Sequence, residues 1–218
     1  LIAELVEEMD IQDNVIGIPP PGCSVFAYNY LDVDMLESAH GRGAAVATGI
    51  KRANPDVLVF TYQGDGDLAA IGTAETIHAA NRGEKITAVF INNAVYGMTG
   101  GQMAPTTLVD MKTTTSPNGR NESTEGGPIK MSEILAMVKG AVYIERTAVT
   151  SPAGIRKTKK ALRKAFQVQI DNLGYALVEI LAACPTNWKM GALESWKWID
   201  DVMVKEFPLG VIKDTTGL

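Results

Sequence analysis

Two short stretches decide how this chain folds: FTYQGDGD at residues 60–67 and AVFINNAVYG at residues 88–97. In each, an apolar run typical of a buried strand ends in a turn with oxygen-bearing side chains. The alanine-rich residues 68–81 between them predict a helix, and Gly83 is a suitable stop. Residues 57–91 therefore predict one strand–helix–strand unit, with the usual right-handed crossover between parallel strands.

The glycine turn after the first strand resembles a diphosphate cradle, with one anomaly. Backbone N–H groups at the start of a helix favour a bound anion, yet Asp65 and Asp67 are anions themselves. A divalent cation would remove this conflict, since Mg²⁺ prefers oxygen ligands such as those of Asp65 and Asn93. Both residues end neighbouring strands, so we expect them to meet at the carboxyl edge of the sheet. The turn predicts a metal-bound diphosphate cofactor.

Two other interpretations of this turn stay open. The stretch GDGDLA at residues 64–69 also fits the dinucleotide-binding pattern G-x-G-x-x-A after a strand. That pattern needs an acidic residue where this chain has Asn92 and Asn93. In a purely structural turn, the two aspartates would serve only as helix caps.

The rest of the chain continues the alternation of strands and helices. Apolar and periodic stretches predict strands at 15–18, 141–146 and 175–181, and helices at 1–9, 44–52, 131–139 and 155–173. This alternation predicts an α/β fold, with a mainly parallel sheet and helices on both faces. We expect residues 1–218 to form a single domain that lacks some N-terminal residues, because Leu1 begins in mid-helix.

Composition narrows the class of protein. The 218 residues are 46% apolar and 21% charged, which is ordinary for a globular protein, and the net charge of −5 gives no case for nucleic acid. No apolar run approaches the roughly 20 residues of a membrane helix. The acidic, amphipathic N-terminus is unlike a signal peptide. Two cysteines cannot form a disulfide framework, so a cytoplasmic location is expected.

The order and spacing of the motifs resemble a known family. GDG at residues 64–66, followed after 25 residues by Asn92 and Asn93, resembles the thiamine-diphosphate signature. Over essentially the whole chain, the motifs resemble the β subunit of 2-oxoacid:ferredoxin oxidoreductases, and the branched-chain (2-oxoisovalerate) branch most. The remaining motifs are GCS at 22–24, HGR at 40–42, AVATG at 45–49, YGMTGGQ at 96–102 and CP at 184–185.

This resemblance implies a site for thiamine diphosphate and Mg²⁺ but assigns no catalytic side chain to this chain. The implied metal ligands are Asp65, Asn93 and the backbone carbonyl of Val95. The implied cofactor-binding residues are Gly22, Cys23, Ser24, His40, Gly64, Asp65, Gly66, Asp67, Asn93, Gly97 and Met98. His40 is expected to contact the diphosphate, and the alternative is a histidine that caps a helix.

Cys23 and Cys184 stand at positions where many family members hold a [4Fe–4S] cluster. Such a cluster normally needs four thiolates, and the Cys-x-x-Cys that supplies the other two is absent from these residues. Either that motif lies upstream of Leu1 or the site has been lost. The structural alternative is a pair of buried, small apolar side chains.

The activity that the resemblance implies is oxidative decarboxylation of a 2-oxoacid to acyl-CoA, with electrons passed to ferredoxin. The chain would act only with an α subunit that carries the pyrimidine-binding domain, and with a ferredoxin-like iron–sulfur subunit. Two alternatives are part of a non-oxidative thiamine-diphosphate decarboxylase or synthase, and a non-catalytic scaffold subunit. The short chain argues against the first, and the intact Asp65–Asn93 pair argues against the second.

Two further segments have open roles. Residues 97–130 are rich in Gly, Thr, Pro and Ser, which is typical of a functional or mobile loop. They are a candidate lid over the substrate, with Thr106, Thr107 and residues 113–115 along it. Residues 156–164 form a basic helix face, either solvated or in contact with an acidic partner such as ferredoxin or a sister subunit.

Overall fold

A computed structural model describes residues 1–218 as nine strands and nine α-helices. The strands are β1 (Val15–Ile18), β2 (Asp34–Met35), β3 (Leu58–Gly64), β4 (Thr87–Asn92), β5 (Val95–Tyr96), β6 (Gln102–Met103), β7 (Ala141–Ala148), β8 (Tyr175–Leu181) and β9 (Gly210–Asp214). The helices are α1 (Ile2–Glu8), α2 (Gly43–Ala53), α3 (Thr73–Arg82), α4 (Glu122–Glu125), α5 (Met131–Ala136), α6 (Pro152–Ile170), α7 (Pro185–Trp188), α8 (Ala192–Trp198) and α9 (Val204–Glu206).

Seven strands form one sheet in the order β2-β1-β3-β4-β8-β7-β9. Every pair in it is parallel except β7 with β9. The predicted α/β fold with a mainly parallel sheet is therefore confirmed. In the β3–β4 register Gly64 is opposite Ile91, so the two predicted turns leave the sheet side by side.

The side chains of each strand alternate between two buried layers, as strand geometry requires. In β3, Val59 joins the layer beneath α2, α3 and α5, while Phe60 joins the layer beneath α1 and α6. In β8, Leu177 and Val178 divide in the same way. Both faces of the sheet are thus covered by helices, as predicted. A third cluster, around Trp188 and Met203, packs the C-terminal helices together.

The helix predicted over residues 68–81 is divided. A single π-helical turn, Asp67–Ile71, precedes α3, and Gly72 separates the two. At this break the backbone of Gly72 lies directly against Gly41, which has a φ of +78°. A Cβ on Gly72 would stand 2.6 Å from the carbonyl oxygen of Gly41. The turn before α2 is therefore seated against the start of the predicted cofactor helix.

Several elements differ from the sequence prediction. A 3₁₀ helix at Cys23–Asn29 and the antiparallel β9 were not predicted. α6 begins at Pro152, earlier than predicted, because the Ser151 hydroxyl accepts the Gly154 N–H at 3.1 Å and caps the helix. None of the helices combines the length and the apolar composition that a membrane crossing requires.

Half of the basic residues on the predicted basic face of α6 are paired within the chain. Lys159 and Arg163 form salt bridges with Glu8 of α1, and Lys164 forms one with Asp214 of β9. These three salt-bridged side chains therefore connect α1 and β9 to α6. Of the six basic residues, only those without a salt bridge are free to meet an acidic partner, and they are Arg156, Lys157 and Lys160.

Candidate functional site

One cavity, of about 230 Å³, lies at the carboxyl ends of β3 and β4. Every predicted cofactor-binding residue lines it, and so does Val95. The full lining is Pro21, Gly22, Cys23, Ser24, His40, Tyr62, Gly64, Asp65, Gly66, Asp67, Ile91, Asn93, Val95, Tyr96, Gly97, Met98 and Thr99. A larger polar groove of about 510 Å³ lies elsewhere, near Met9 and Lys51, and contains none of these residues.

Asp65 is a carboxyl group buried without a cationic partner. It is 2% exposed, and no lysine, arginine or histidine forms a salt bridge with it. It accepts hydrogen bonds from the Gly66 N–H at 2.8 Å and the Thr106 hydroxyl at 2.6 Å. Burial raises the pKa of Asp65 to about 7 despite these bonds. A buried carboxylate normally has a paired charge or a metal, so this position fits a divalent cation.

The turn after β4 is held in an unusual conformation beside Asp65. Ala94 has a φ of +59°, which is rare outside glycine. Its N–H donates to the Asn92 side-chain oxygen at 3.2 Å, and its carbonyl accepts the Thr107 hydroxyl at 2.6 Å. The Asn93 side-chain oxygen accepts the Val95 N–H at 3.3 Å. Such strain persists only where the surroundings over-determine it, as at functional sites.

The turn after β4 is supported by a buried network of ion pairs and hydrogen bonds that the sequence analysis did not predict. Glu179 of β8, 1% exposed, accepts hydrogen bonds from Asn92 at 2.8 Å and from Arg146 Nε at 2.8 Å, and also from Ser132. Arg146 also donates to both oxygens of Glu133. A glutamate inside an apolar strand was the available signal, because a buried charge needs a partner.

The 97–130 segment is anchored to the same site. Thr106 bonds to Asp65, and Thr107 bonds to the Ala94 carbonyl. The buried Arg120 holds the segment together, since its guanidinium lies within 3.5 Å of the backbone carbonyls of Ala104, Pro105, Thr107, Glu125, Gly126 and Gly127. Thr106 thus supports Asp65, the predicted metal ligand. Because these hydrogen bonds anchor residues 97–130, the structure does not favour the prediction that the segment is a lid.

The segment that follows Cys184 contacts the 93–97 turn of the site. Asn187 donates to the Gly97 carbonyl at 2.9 Å, and the Trp188 indole N–H donates to the Asn93 carbonyl at 3.1 Å. Neither residue was predicted, although Pro185 at the first position of α7 is a recognisable helix start. These two bonds fix both ends of the 93–97 turn.

The two cysteines meet at Gly97. A Cβ on Gly97 would lie 3.4 Å from the Cys23 sulfur and 3.6 Å from the Cys184 sulfur. Burial, and secondarily the nearby Cys184, raises the pKa of the Cys23 thiol. No group of three His, Cys, Asp or Glu side chains is placed to hold a metal. These residues supply two of the four thiolates that a [4Fe–4S] cluster needs, so they do not hold one alone.

We expect Gly66→Ala to distort the site for steric reasons alone. The backbone at Gly66 is ordinary right-handed helix, but a Cβ there would stand 2.1 Å from the Tyr96 ring. Overpacking of this kind costs about 1–3 kcal/mol of unfolding free energy, measurable by denaturant unfolding. Gly64→Ala is the control, since nothing lies within 4 Å of its Cβ position. Adding Tyr96→Ala to Gly66→Ala should restore stability, and failure of this rescue would contradict the steric explanation.

Comparison with known proteins agrees with this geometry. Residues 22–180 match the family described as thiamine pyrophosphate enzyme, C-terminal TPP binding domain. Among curated proteins, the ketoisovalerate oxidoreductase subunit VorA of Methanothermobacter thermautotrophicus is 49% identical over 217 residues, covering 100% of this chain and 46% of that protein. The 2-oxoglutarate synthase subunit KorB of Archaeoglobus fulgidus is 41% identical over 179 residues, covering 82% of this chain and 62% of that protein.

A solved structure shows the same fold. The 2-oxoglutarate:ferredoxin oxidoreductase from Magnetococcus marinus, with 2-oxoglutarate, coenzyme A and succinyl-CoA bound, matches with a TM-score of 0.80 and 25% identity. The match covers 98% of this chain and 76% of that one. This chain spans about half the length of the VorA proteins it matches. By its family match and its homologues, the chain belongs to the thiamine pyrophosphate enzymes, as a C-terminal TPP-binding domain of the kind found in 2-oxoacid:ferredoxin oxidoreductases.

Proposed function

We propose that this chain is the thiamine-diphosphate- and Mg²⁺-binding β subunit of a 2-oxoacid:ferredoxin oxidoreductase. The complex would convert a 2-oxoacid to CO₂ and an acyl-CoA and pass the electrons to ferredoxin. The observation that carries the proposal is Asp65, a buried carboxyl group without a cationic partner, which lies in a cavity lined by every predicted cofactor-binding residue. The Mg²⁺ of a metal–diphosphate group would supply the missing positive charge.

The residues present fit such a group. Asp65, Asn93 and the Val95 carbonyl would hold Mg²⁺, all three being oxygen ligands of the kind it prefers. Space for the diphosphate is available at Gly64, where nothing lies within 4 Å of the Cβ position. When bound, thiamine diphosphate supplies a carbon nucleophile and an electron sink. The role of this chain is to bind and orient the diphosphate end and to keep Asp65 ionised through the metal.

The substrate is proposed to be a branched-chain 2-oxoacid. The support is the 49% identity to a ketoisovalerate oxidoreductase subunit over 217 residues, against 41% over 179 residues for a 2-oxoglutarate synthase subunit. These identities are averages over the aligned residues and identify no acyl pocket. The assay below therefore compares the two substrates directly.

The proposed partners follow from the names of the relatives. They are called subunits, which supports an assembly that includes an α subunit with the pyrimidine-binding domain and a ferredoxin-like iron–sulfur subunit. Coenzyme A and ferredoxin are the proposed co-substrates, and coenzyme A is bound in the Magnetococcus marinus structure. We propose that the assembly works in the cytoplasm.

The test is purification of the tagged chain with its natural partners. We expect co-purified subunits, about one thiamine diphosphate and one Mg²⁺ per chain, and CoA-dependent ferredoxin reduction that is faster with 2-oxoisovalerate than with 2-oxoglutarate. The chain separated from its partners should show no turnover. Decarboxylation by the separated chain would contradict the division of the site between subunits, and a complex without thiamine diphosphate would contradict the function.

A further inference from the structure

Asp67 lies on the cavity wall, but its carboxylate is already engaged by the protein. One oxygen accepts the Gly41 N–H at 2.7 Å and also contacts Nδ1 of His40. The other oxygen accepts the Gln63 amide N–H at 2.5 Å. Asp67 is 3% exposed. Its charge is thus directed to groups of the protein rather than to a ligand.

This arrangement fixes the state of the His40 ring. An ionised carboxylate is only an acceptor, and Gly41 and Gln63 both supply N–H groups to it. His40 Nδ1 must therefore carry a hydrogen and donate it to Asp67, because a bare nitrogen there would face an oxygen lone pair. The second nitrogen, Nε2, has no partner in the chain. His40 is itself 36% exposed by its side chain and lines the cavity.

The backbone makes this geometry rigid. A Cβ on Gly41 would stand 2.5 Å from the Ile71 side chain and 2.8 Å from the Gly72 nitrogen. The backbone of the His40 turn is thus in direct contact with the backbone at Ile71 and Gly72, which follows Asp67. Gln63, 1% exposed, is confined by Gly43, whose Cβ would lie 3.0 Å from the Gln63 amide carbon. Asp67 has no room to turn toward the cavity without breaking these contacts.

We propose that Asp67 is a positioning residue that holds His40 with a hydrogen on Nδ1 and so presents Nε2 to the diphosphate end of the cofactor. The inference rests on the proposed function, since it names how the same site recognises an anion. With Nδ1–H held by Asp67, a ring that carries a hydrogen on both nitrogens can donate Nε2–H to a phosphate oxygen. Asp67 then contributes to anion binding through His40, although it is an anion itself.

A pair of substitutions at His40 separates this role from a structural one. The amide of asparagine reaches the Nδ1 position and can keep the Asp67 bond, whereas the amide of glutamine reaches the Nε2 position. We expect His40→Asn to weaken thiamine diphosphate binding to the complete Mg²⁺-loaded complex about tenfold, and His40→Gln to weaken it less. If His40→Asn binds as well as wild type while His40→Gln does not, the histidine is only structural and the proposal is overturned.

Asp67→Asn tests the carboxylate itself. The variant should fold, because the Gln63 amide oxygen is buried without a partner and can turn to accept an N–H from the introduced amide. We expect about tenfold weaker cofactor binding and an unchanged unfolding temperature of the cofactor-free complex. Wild-type affinity in this variant would overturn the proposal.

The ring state is read directly by solid-state ¹⁵N NMR of the histidine-labelled, cofactor-free complex. The His40 signals are those lost in His40→Gln, and the exposed His78 in α3 is an internal reference. We expect a hydrogen on Nδ1 in wild type; a hydrogen on Nε2 alone would overturn the proposal. This measurement needs no cofactor, so its failure is distinct from failure of the proposed function, which would appear as a wild-type complex that binds no thiamine diphosphate.

Discussion

Asp65→Asn is expected to remove cofactor binding while leaving the cofactor-free protein at least as stable as wild type. The two effects have the same cause. Asp65 is 2% exposed and has no cationic partner in the chain, so its charge is useful only when a metal is bound. An amide cannot supply that charge, and we expect the affinity for Mg²⁺–thiamine diphosphate to fall about 100-fold or more.

The stability part of this prediction follows from the sign of the pKa shift. Burial raises the pKa of Asp65 from 3.8 to about 7. Folding is therefore opposed by this group as the pH rises above 3.8, and the full cost is present above about 7. Asparagine removes that cost in mildly alkaline solution, and the Thr106 hydroxyl can turn to accept the new amide N–H.

Thermal unfolding with and without cofactor measures both effects. Ligand at 100 times its dissociation constant stabilises a protein by about 2.7 kcal/mol, and a 100-fold weaker variant keeps about 0.4 kcal/mol. We therefore expect the cofactor-induced shift in unfolding temperature to be nearly lost. Asn93→Ala should lose the same shift without gaining stability in the cofactor-free form. An undiminished shift in Asp65→Asn would contradict the metal assignment.

Arg146→Met is expected to give the largest loss of stability. It leaves Glu179, 1% exposed, without a cation, and breaking one partner of a buried pair costs about 3–5 kcal/mol. Arg146 also donates to the Pro208 carbonyl at 3.1 Å and lies over the Phe207 ring, so the C-terminal segment should loosen as well. The free energy of unfolding in guanidinium chloride measures the effect.

Two controls identify the mechanism. Arg163→Met removes an exposed pair with Glu8, and such pairs contribute about 0–1 kcal/mol. Adding Glu179→Gln to Arg146→Met removes both buried charges and should recover most of the loss, because glutamine can still accept from Asn92. If Arg146→Met is as mild as Arg163→Met, the network does not stabilise the fold.

Local sequence pattern was sufficient for the central part of the fold. β3, β4 and β8 are apolar runs that end in recognisable turns, and the carboxyl edge of a parallel sheet necessarily brings Asp65 and Asn93 together. Local sequence pattern did not predict β9. Its residues 210–214 are partly exposed and have no strong period, and the strand exists because it pairs with the free edge of β7.

The residues that support the site could not be predicted from local sequence pattern, for a similar reason. Thr106 contacts Asp65 from 41 residues away, and Arg146 meets Glu179 across 33 residues. Thr106 and Arg146 are ordinary within their own segments, and although Glu179 stands out in its apolar strand, only the tertiary fold shows which residue is its partner. The orientation of Asp67 was also outside the motif, because it depends on the turn at Gly41, 26 residues earlier.

The single guanidinium of Arg120 gives the 97–130 segment a collective behaviour. Its six carbonyl partners come from both ends of a stretch that runs from Ala104 to Gly127. Local unfolding of any part of this stretch would remove hydrogen-bond acceptors from the buried Arg120 guanidinium. The stretch therefore opens as one unit or remains closed. From outside the cavity, the closed stretch holds Thr106 against Asp65 and Thr107 against the Ala94 carbonyl, so its opening as a unit would release both contacts at once.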